Sequence, residues 1–508
     1  MTFLKINDND QDCIGAISSS SPEATCAGKD MLSIGGNAAD AATACAFSLM
    51  VTDPANASPA GRCQIIFGSR SSPPSAIDGT TVAPSVFRRH ESHEPIPIPG
   101  AVSALISFHK SHGKLPLGEV IGPALKFARN GFEIGKEQAK IWSWREPEIK
   151  GTNLEPLFLP KGMAPQVGEI FCNSNLVGFF DLLKKTERDP FRNSDFVAPL
   201  LDRMRNKGLA WGFSETLLDR TCVGQVIWRD FDNFRVWTVG KQGWGHAMID
   251  MLDKYFRCSW PDKPPKDLKL AISIVLGVLS RLEASQKQIE EAYWSDIESG
   301  KMSELEITND LLNELVKVCR LGAEELSQLE QDRDTTALAV CDKNGNFVSI
   351  TQSIGPHFGS RILDEETGIV FAHSYQMDAN FAPSGRDITE LCPSICKIDQ
   401  RMFALGAAGS ERIPGAVAAV ICHLTEGKSL EDAVNAPRVN YTKSLLRVHD
   451  ELRPLFSMSF EKMNLKIEFS DRGPIDHLGI VHAVGNSTAG AFEAAADPAY
   501  SGLGQIIE

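Results

Sequence analysis

The sequence predicts a globular α+β protein, and three observations lead to that class. Residues 20–50 carry small apolar side chains at helical spacing, and residues 115–137 repeat such spacing. Residues 336–353 contain two strand-like runs joined by a turn. Of the 508 residues, 43% are hydrophobic and 23% are charged, which is typical of soluble globular proteins. We therefore expect helices together with at least one antiparallel strand pair.

Charge and hydropathy exclude several classes of protein. The chain has 65 acidic and 51 basic residues and a net charge of −14, whereas nucleic-acid binders concentrate Lys and Arg on one face. The longest apolar run, residues 270–279, covers about half of the roughly 20 residues that a membrane-spanning helix needs. Asp8, Asp10 and Asp12 lie where a secretory peptide would be apolar. We expect a cytosolic protein with no nucleic-acid or membrane partner.

The cysteines and histidines indicate no metal site. The twelve cysteines are scattered and contain no CxxC pair, so in a reducing compartment they are interpreted as buried small side chains or free thiols. The eleven histidines are dispersed, and for each of them a satisfied or surface position is the expected role. No GxSxG, HExxH or Walker motif occurs. We expect no metal and no cofactor.

The first helical region is predicted to contain two helices that meet at a glycine turn. A Pro-Glu start at residues 22–23 begins the first helix, and Gly35 and Gly36 interrupt the pattern. Small residues then continue at helical spacing and allow close packing against a neighbour. Asn37 and Asp40 are expected to cap the second helix. Further along the chain, residues 234–239 (FRVWTV) predict a strand.

The strongest local signal is a β-hairpin over residues 336–353. Residues 336–342 (TALAVCD) and 347–353 (FVSITQS) are strand-like, and Asn344-Gly345 between them favours a tight turn because these residues readily adopt φ > 0. A two-residue loop would place Thr336 opposite Ser353, and a three-residue loop would shift the partner by one. Either register brings Ser353 within a residue or two of Thr335.

Thr335 at the start of this hairpin suits a nucleophile whose own backbone amine is the base. A threonine hydroxyl is a poor nucleophile at its free pKa, but an α-amino group with a pKa of about 7.7 to 8.0 can accept its proton at neutral pH. That chemistry requires cleavage before Thr335. Taken alone, Asp-Thr-Thr is an ordinary pattern of β-branched residues at a strand edge.

A series of motifs along the chain changes that interpretation, because together they resemble the γ-glutamyltransferase family. The resemblance runs in order over nearly the whole chain. It is carried by GGNAADAA at 35–42, PGAVSAL at 99–105, LPLGEVIGPALKFARNGFEI at 115–134, DTTALAVCDKNGNFVSITQS at 334–353, FGSRILDEETGIVF at 358–371, QMD at 376–378, GAAGSERIPGAV at 406–417 and AAADPAYSGLG at 494–504.

The resemblance implies an N-terminal-nucleophile hydrolase with a four-layer αββα sandwich, made as a proenzyme. It implies self-cleavage between Asp334 and Thr335, giving a large subunit of residues 1–334 and a small subunit of residues 335–508 that stay packed together. Thr335 would be the nucleophile and its new amine the general base. Ser353 falls where the family has a second threonine beside the nucleophile.

The oxyanion hole is also implied by the resemblance. Gly409 and Ser410 fall on a Gly-Gly pair whose backbone amides form the hole, and Ser410 still supplies an N–H group unless its position needs φ > 0. Ser353 is expected to donate a hydrogen bond to the nucleophile or its amine. The alternative for Ser353 is a surface serine at a strand end.

The chain departs from the family where the substrate is recognised. The arginine that holds the substrate α-carboxylate falls at Thr80, and its assisting asparagine falls at Gly355. The serine pair beside that carboxylate falls at Thr389 and Glu390. A site that loses an arginine and gains a glutamate should repel a carboxylate.

Other departures surround the same recognition site. The motif that grips the α-ammonium group is Gln376, Met377 and Asp378 followed by Ala379 in place of a second aspartate. Ala337 replaces a histidine after the Thr-Thr pair, and PAGRCQ at 59–64 replaces a glycine-rich run.

Two functions follow from these matches and departures. The first is a γ-glutamyltransferase-like enzyme that cleaves or transfers a γ-glutamyl or related acyl group from glutathione, a glutathione conjugate or a peptide-derived metabolite through an acyl-Thr335 intermediate. The second is an uncleaved pseudoenzyme that binds a ligand or partner. The nucleophile and its neighbours favour the enzyme, whose partners would be a small-molecule or peptide substrate and its own two subunits.

Overall fold

The structure is a computed structural model, and it describes most of the chain. The described residues are 13–85, 96–207, 209, 211–218, 221–257, 265–279, 334–373, 384–442, 445–460, 467–486 and 491–508. Gln376 and Asp378, which the sequence places at the substrate ammonium group, lie outside them.

Two antiparallel sheets form the centre of the described chain. The first sheet contains, in spatial order, the strands Leu503–Ile507, Gly15–Ser19, Asp334–Asp342, Asn346–Gly355, Arg62–Ser69, Ser75–Gly79 and Cys222–Gly224. The second sheet contains Phe492–Ala496, Ile480–Asn486, Arg401–Ala408, Ser394–Ile398, Phe234–Val239 and Val226–Asp230. The predicted strand at 234–239 is therefore confirmed.

Within the described ranges, three smaller sheets lie outside these two. They are formed by Val439–Thr442 with Leu445–His449 and Ile467–Ser470, by Phe132–Glu133 with Ile170–Phe171, and by Leu363–Asp364 with Ile369–Val370.

Helices account for most of the remaining described residues. The α-helices are Pro22–Ser33, Ala38–Thr52, Ala101–His112, Leu117–Val120, Gly122–Asn130, Lys136–Ile149, Glu155–Phe158, Leu176–Thr186, Ser194–Met204, Phe213–Thr216, Gly245–Arg257, Lys266–Leu279, Ile413–Thr425, Leu430–Asn435 and Arg453–Phe460. Short 3₁₀ turns occupy Pro190–Arg192, Arg205–Lys207, Ser410–Arg412 and Asp450–Leu452.

The strand Asp334–Asp342 shows why the sheets pack face to face. Its side chains alternate between two apolar environments, as the period-two geometry of a strand requires. Leu338 and Val340 pack in a cluster with the helix Ala38–Thr52, whereas Ala339 and Cys341 pack in a cluster with residues of the second sheet. The strand is buried along its whole length. Thr335 and Ala339, an even number of residues apart, therefore point toward the second sheet.

A third apolar cluster covers the other face of the second sheet. It joins Leu405 and Val481 of that sheet to side chains of the helices Gly245–Arg257, Lys266–Leu279 and Ile413–Thr425. Residues 270–279, interpreted from the sequence as a core segment, lie in the second of these helices. No helix among the described residues combines the length and the apolar character that crossing a bilayer requires.

The N-terminal helices form as predicted. The first helix ends at Ser33 and the second begins at Ala38, with Gly35 at φ +90° in the turn between them. The Asn37 side chain accepts from two backbone N–H groups, and the Asp40 carboxylate accepts the Asn37 N–H at 2.8 Å. This reciprocal pair is a capping box, which satisfies backbone donors that a helix start otherwise leaves free.

The central hairpin takes the three-residue alternative. Gln352 lies opposite Thr336, and residues 343–345 form the loop. Gly345 adopts φ +77°, whereas Asn344 does not take a positive φ. A three-residue loop with glycine in the left-handed region is a common hairpin connection, so this register agrees with the turn chemistry.

Candidate active site

The peptide bond between Asp334 and Thr335 lies at the start of the central strand and is shielded from water. Asp334 is 3% exposed, Thr335 is 4% exposed and Ser353 is 3% exposed. The Ser353 hydroxyl donates to the Asp334 carbonyl oxygen at 2.8 Å. The Thr335 N–H donates to Oδ1 of the Asp334 side chain at 2.7 Å. Both ends of the peptide group are therefore held by hydrogen bonds before any cleavage.

Ser353 is placed by an irregularity in the returning strand. The pairing shifts between Gln352 and Gly355, which faces Asp334, and Gly355 adopts φ +97°. The Ser353 oxygen accepts the Gly355 N–H at 2.9 Å while its hydroxyl donates to Asp334. In the uncut chain the local bend points the hydroxyl at the carbonyl preceding Thr335, and the expected bond to the nucleophile or its freed amine stays a prediction for the processed protein. Ser353 is also buried, which excludes the surface alternative.

The Asp334 carboxylate faces two histidines that come from distant parts of the chain. Nε2 of His357 lies 3.2 Å from Oδ2, and Nε2 of His477 lies 3.5 Å from the same oxygen. Burial opposes ionisation of Asp334, but its interactions with the rings of His357 and His477 and the positive charge of Arg412 outweigh it and hold the pKa of this carboxyl well below its usual range. Asp334 is therefore ionised at neutral pH.

The tautomer of His477 follows from its second nitrogen. Nδ1 lies 3.2 Å from the Gly479 N–H and accepts from it, so the proton of the neutral ring is on Nε2 and faces Asp334. Burial lowers the pKa of His477 and, with the nearby charge of Arg412, outweighs the influence of Asp334. Burial likewise lowers the pKa of His357 to about 4. Both rings are therefore neutral at pH 7. His477 is thus a satisfied histidine, as expected, but the sequence did not indicate that it and His357 share Asp334 as a neighbour.

Gly409 and Ser410 lie beside the same histidine. Gly409 adopts φ +119°, and a side chain there would place Cβ 2.7 Å from Cε1 of His477. Arg412 closes the turn, since its Nε donates to the Gly409 oxygen at 2.7 Å and its Nη1 donates to the His477 oxygen at 3.1 Å. Only glycine fits at position 409 without displacing this ring.

Position 410 does require a positive φ, the condition stated above for its N–H group. Ser410 adopts that left-handed conformation at a cost in backbone strain and keeps its N–H group. Its φ is +55°, which is unfavourable for a residue with Cβ by about 1 to 2 kcal/mol. The Ser410 hydroxyl is buried and forms no hydrogen bond with any described residue. The turn leads directly into the helix Ile413–Thr425.

The structure brings together the two segments in which the family has the arginine and the serine pair for the substrate carboxylate. The side chains that this chain has there bond to other groups of the protein. Thr80 is fully buried and donates to Oδ1 of Asp78 at 2.7 Å. Thr389 donates to the Gln242 carbonyl at 3.0 Å, and Glu390, next to it, is buried. The backbone of residue 387 bonds to Thr81, which joins the two segments.

Arg62 is a charged residue of this region that the sequence analysis missed. It lies directly opposite Ser353 on the adjacent strand and is fully buried. Its Nη1 lies 3.7 Å from Oδ2 of Asp387, and its Nη2 donates to the His373 carbonyl. Thr81 also donates to the Asp387 carboxylate. The sequence feature that could have indicated Arg62 is its position in PAGRCQ, where a charged residue occupies the start of a buried strand.

A second buried acid lies close to Asp334. Asp53 ends the helix Ala38–Thr52, and its Oδ1 accepts from Asn56 Nδ2 at 3.0 Å and from the Tyr500 hydroxyl at 3.1 Å. Burial, reinforced by the negative charge of Asp334, raises the pKa of Asp53 to about 7. A carboxyl group with a pKa near 7 can both accept and donate a proton at neutral pH.

The comparisons with known proteins cover almost the whole chain. The family described as Gamma-glutamyltranspeptidase matches residues 24–506. The glutathione hydrolase proenzyme of Bacillus subtilis is 25% identical over 85% of this chain and 81% of its own length. The capsule biosynthesis protein CapD proenzyme of Bacillus anthracis is 23% identical over 84% of this chain and 79% of its own length.

A solved structure shows the same arrangement of helices and antiparallel sheets. Cephalosporin acylase from Bacillus halodurans superposes with a TM-score of 0.80 at 21% identity, covering 97% of this chain and 96% of that one. The mixed helix and sheet fold expected from the sequence is therefore confirmed. The expectation of an enzyme of the γ-glutamyltransferase type is also confirmed, and the alternative of an uncleaved pseudoenzyme is not supported. The chain belongs to the gamma-glutamyltranspeptidase family.

Proposed function

We propose that the protein is a self-processing amidohydrolase that cleaves amides through an ester on Thr335. The single observation that carries the proposal is the hydrogen bond from Ser353 to the Asp334 carbonyl oxygen. A donor aimed at a carbonyl oxygen stabilises the negative charge that develops there when a nucleophile attacks the carbon. The carbonyl that Ser353 polarises is the one that Thr335 must attack to free its own amine.

Self-cleavage then proceeds in two balanced steps. The Thr335 hydroxyl oxygen bonds to the Asp334 carbonyl carbon, the C–N bond breaks, and the hydroxyl proton passes to the departing nitrogen. Water next hydrolyses the resulting ester, which leaves a carboxyl group on Asp334 and restores the Thr335 hydroxyl. The products are the subunits 1–334 and 335–508.

The freed amine performs the general-base role during turnover. With a pKa of about 7.7 to 8.0 in the absence of perturbation, an α-amino group accepts the hydroxyl proton of its own side chain near neutral pH. We assign the oxyanion contacts of the substrate to the backbone N–H groups of Gly409 and Ser410. The turn that holds them packs on His477, which in turn faces Asp334.

We also propose that the elements stack as a four-layer αββα sandwich. Three apolar clusters support this arrangement: one between the two sheets, and one on the outer face of each sheet against helices. The cleavage site at the start of the central strand then lies at one end of the cleft between the sheets.

The substrate is a small molecule or peptide that offers an amide-linked acyl group. Relatives are named glutathione hydrolase proenzymes, which supports a γ-glutamyl or related acyl donor. Thr80, Thr389 and Glu390 replace the groups that would hold a free glutamyl carboxylate, so a related acyl group fits this chain better. A cytosolic location, and the absence of nucleic-acid and membrane partners, stay predictions from the sequence.

The test is acyl transfer to hydroxylamine. The purified, processed protein is incubated with a panel of acyl anilides and amides, and hydroxamate formation is measured alongside release of the amine. The proposal predicts hydroxamate from at least one donor with wild-type protein and none with Thr335→Ala, which has no nucleophile. Equal hydroxamate formation by the two proteins would contradict it.

A further inference from the structure

Self-cleavage and substrate turnover pass through the same kind of intermediate if the proposed function holds. In self-cleavage the acyl group esterified to Thr335 is residue 334 itself. In turnover it is the acyl group of the substrate, attached to the same oxygen. The side chain of Asp334 therefore lies in or beside the space that the side chain of a substrate acyl group must use.

That space is built to receive a carboxylate. Oδ2 of Asp334 faces Nε2 of His357 at 3.2 Å and Nε2 of His477 at 3.5 Å, and both rings are buried. Arg412 braces the second ring through its bond to the His477 carbonyl and adds a positive charge nearby. The Nε2–H of His477, the buried ring of His357 and the nearby positive charge of Arg412 favour an anion there.

The other buried cation of the region already has an anion. Arg62 lies opposite Ser353 and is paired with Asp387, whose carboxylate also accepts from Thr81. A substrate carboxylate at Arg62 would have to displace that internal partner. In the histidine cluster the anion to be displaced is the side chain of Asp334, which self-cleavage detaches from Thr335.

We propose that the enzyme selects acyl donors whose carboxylate is separated from the scissile carbonyl by two carbons, as in succinyl and aspartyl amides. The spacing is that of Asp334, in which Cα and Cβ join the scissile carbonyl to the side-chain carboxylate. Once self-cleavage frees the new terminus, the substrate carboxylate takes the place of Oδ1 and Oδ2. The Thr335 oxygen attacks the succinyl carbonyl, the C–N bond breaks and the amine leaves with the proton, and water hydrolyses the ester.

A chain-length series tests the spacing directly. The kcat/KM of the processed full-length protein is measured for the anilides of malonic, succinic, glutaric and butyric acids. Butyranilide has the length of the succinyl compound without its carboxylate. We expect the succinyl compound to exceed each of the others by at least about 10-fold, since a buried partner for a charged group discriminates strongly against ligands that lack it.

Two variants test which side chains recognise the carboxylate of the substrate. His477→Gln should reduce the ratio of succinyl to butyryl activity by about 10-fold or more, whereas His246→Gln, on an exposed position of the helix Gly245–Arg257, should leave the ratio unchanged. If His477→Gln does not fold or process, the wild-type series alone decides the matter.

The outcomes separate this proposal from the one on which it rests. Faster cleavage of the glutaryl, malonyl or butyryl compound would overturn the two-carbon spacing while leaving the amidohydrolase intact. Failure of processed protein to cleave any of the four would overturn the succinyl selection, and the amidohydrolase would then be decided by the hydroxylamine assay on the wider donor panel. A clear succinyl preference that persists in His477→Gln and in Arg412→Met would overturn the assignment of the carboxylate to this cluster.

Discussion

The hydroxyl of Ser353 points at the carbonyl oxygen of Asp334 across 2.8 Å, and so touches the bond that the chain is proposed to cut in itself. The contact depends on the bend that the shifted pairing after Gln352 introduces into the returning strand. The same hydroxyl oxygen accepts the Gly355 N–H, which fixes its direction. Ser353 is thus positioned to act on the electrophile of the proposed self-cleavage.

Ser353→Ala should slow self-cleavage by roughly 10 to 10³, because it removes one donor from the developing oxyanion. Ser353→Thr keeps the hydroxyl and should process at a rate close to that of the parent. Time courses on denaturing gels after expression at low temperature give the rates. Processing of Ser353→Ala at the parental rate would refute the role of this hydroxyl.

Glutathione and γ-glutamyl anilides should be poor substrates, with kcat/KM lower by a factor of about 10² or more than for the best donor of the enzyme. Thr80 and Thr389 already donate to Asp78 and to the Gln242 carbonyl, and Glu390 adds a carboxylate where the substrate carboxylate would lie. Steady-state assays with both donor types measure this ratio. Glutathione turnover with kcat on the order of 10 per second would show that other residues recognise the glutamyl group.

Gly409→Ala should destabilise the protein by about 2 to 4 kcal/mol and impair self-cleavage. The new methyl would meet the His477 ring at 2.7 Å in addition to the strain of φ +119°. Gly427→Ala is the matched control, since Gly427 has φ +86° but nothing within 4 Å of an added Cβ. Urea denaturation of both variants separates backbone strain from the collision with His477. Equal losses in the free energy of unfolding would show that the His477 ring moves aside at little cost.

Acidification from pH 7 to pH 5 should destabilise the fold partly through His482. Burial lowers the pKa of His482 to about 4, against about 6.5 in the unfolded chain. Because the unfolded state binds the proton first, stability is complete above pH 6.5 and is lost as the pH falls toward 4. The loss at pH 5 is on the order of 1 to 2 kcal/mol for this residue.

Urea denaturation of the uncut Thr335→Ala protein at the two pH values checks this. His482→Gln in the same background should show a smaller difference between pH 7 and pH 5. The ring lies between the Ser18 and Ser20 hydroxyls, so glutamine preserves polar contacts there. An undiminished pH dependence in His482→Gln would assign the acid sensitivity to other buried histidines, such as His357.

The sequence predicted the parts of this site that are local in the chain. The turn chemistry of residues 343–345 brings Ser353 back to Thr335, and both positions follow from a single hairpin. It did not reveal His357 or His477, because their contacts with Asp334 arise only when a loop of each sheet meets the end of the central strand.

Arg62 was not predicted from the sequence for a related physical reason. A buried arginine is tolerated only because Asp387, 325 residues later by number, supplies its charge partner, and no local pattern records that pairing. The positive φ of Ser410 could be raised only as a condition, from the glycine that the family has at this position, since serine itself is not a signal for it. Periodicity predicts strands and helices, whereas non-local charge pairs require the fold.

Intact-mass measurement of the purified protein, followed by N-terminal sequencing, tests the central claim most directly. The account predicts two fragments, residues 1–334 and 335–508, with the smaller beginning Thr-Thr-Ala-Leu, and a single uncut species for Thr335→Ala. A wild-type chain that stays whole after prolonged incubation, or a cut at any other bond, would contradict the assignment of Thr335 as the nucleophile.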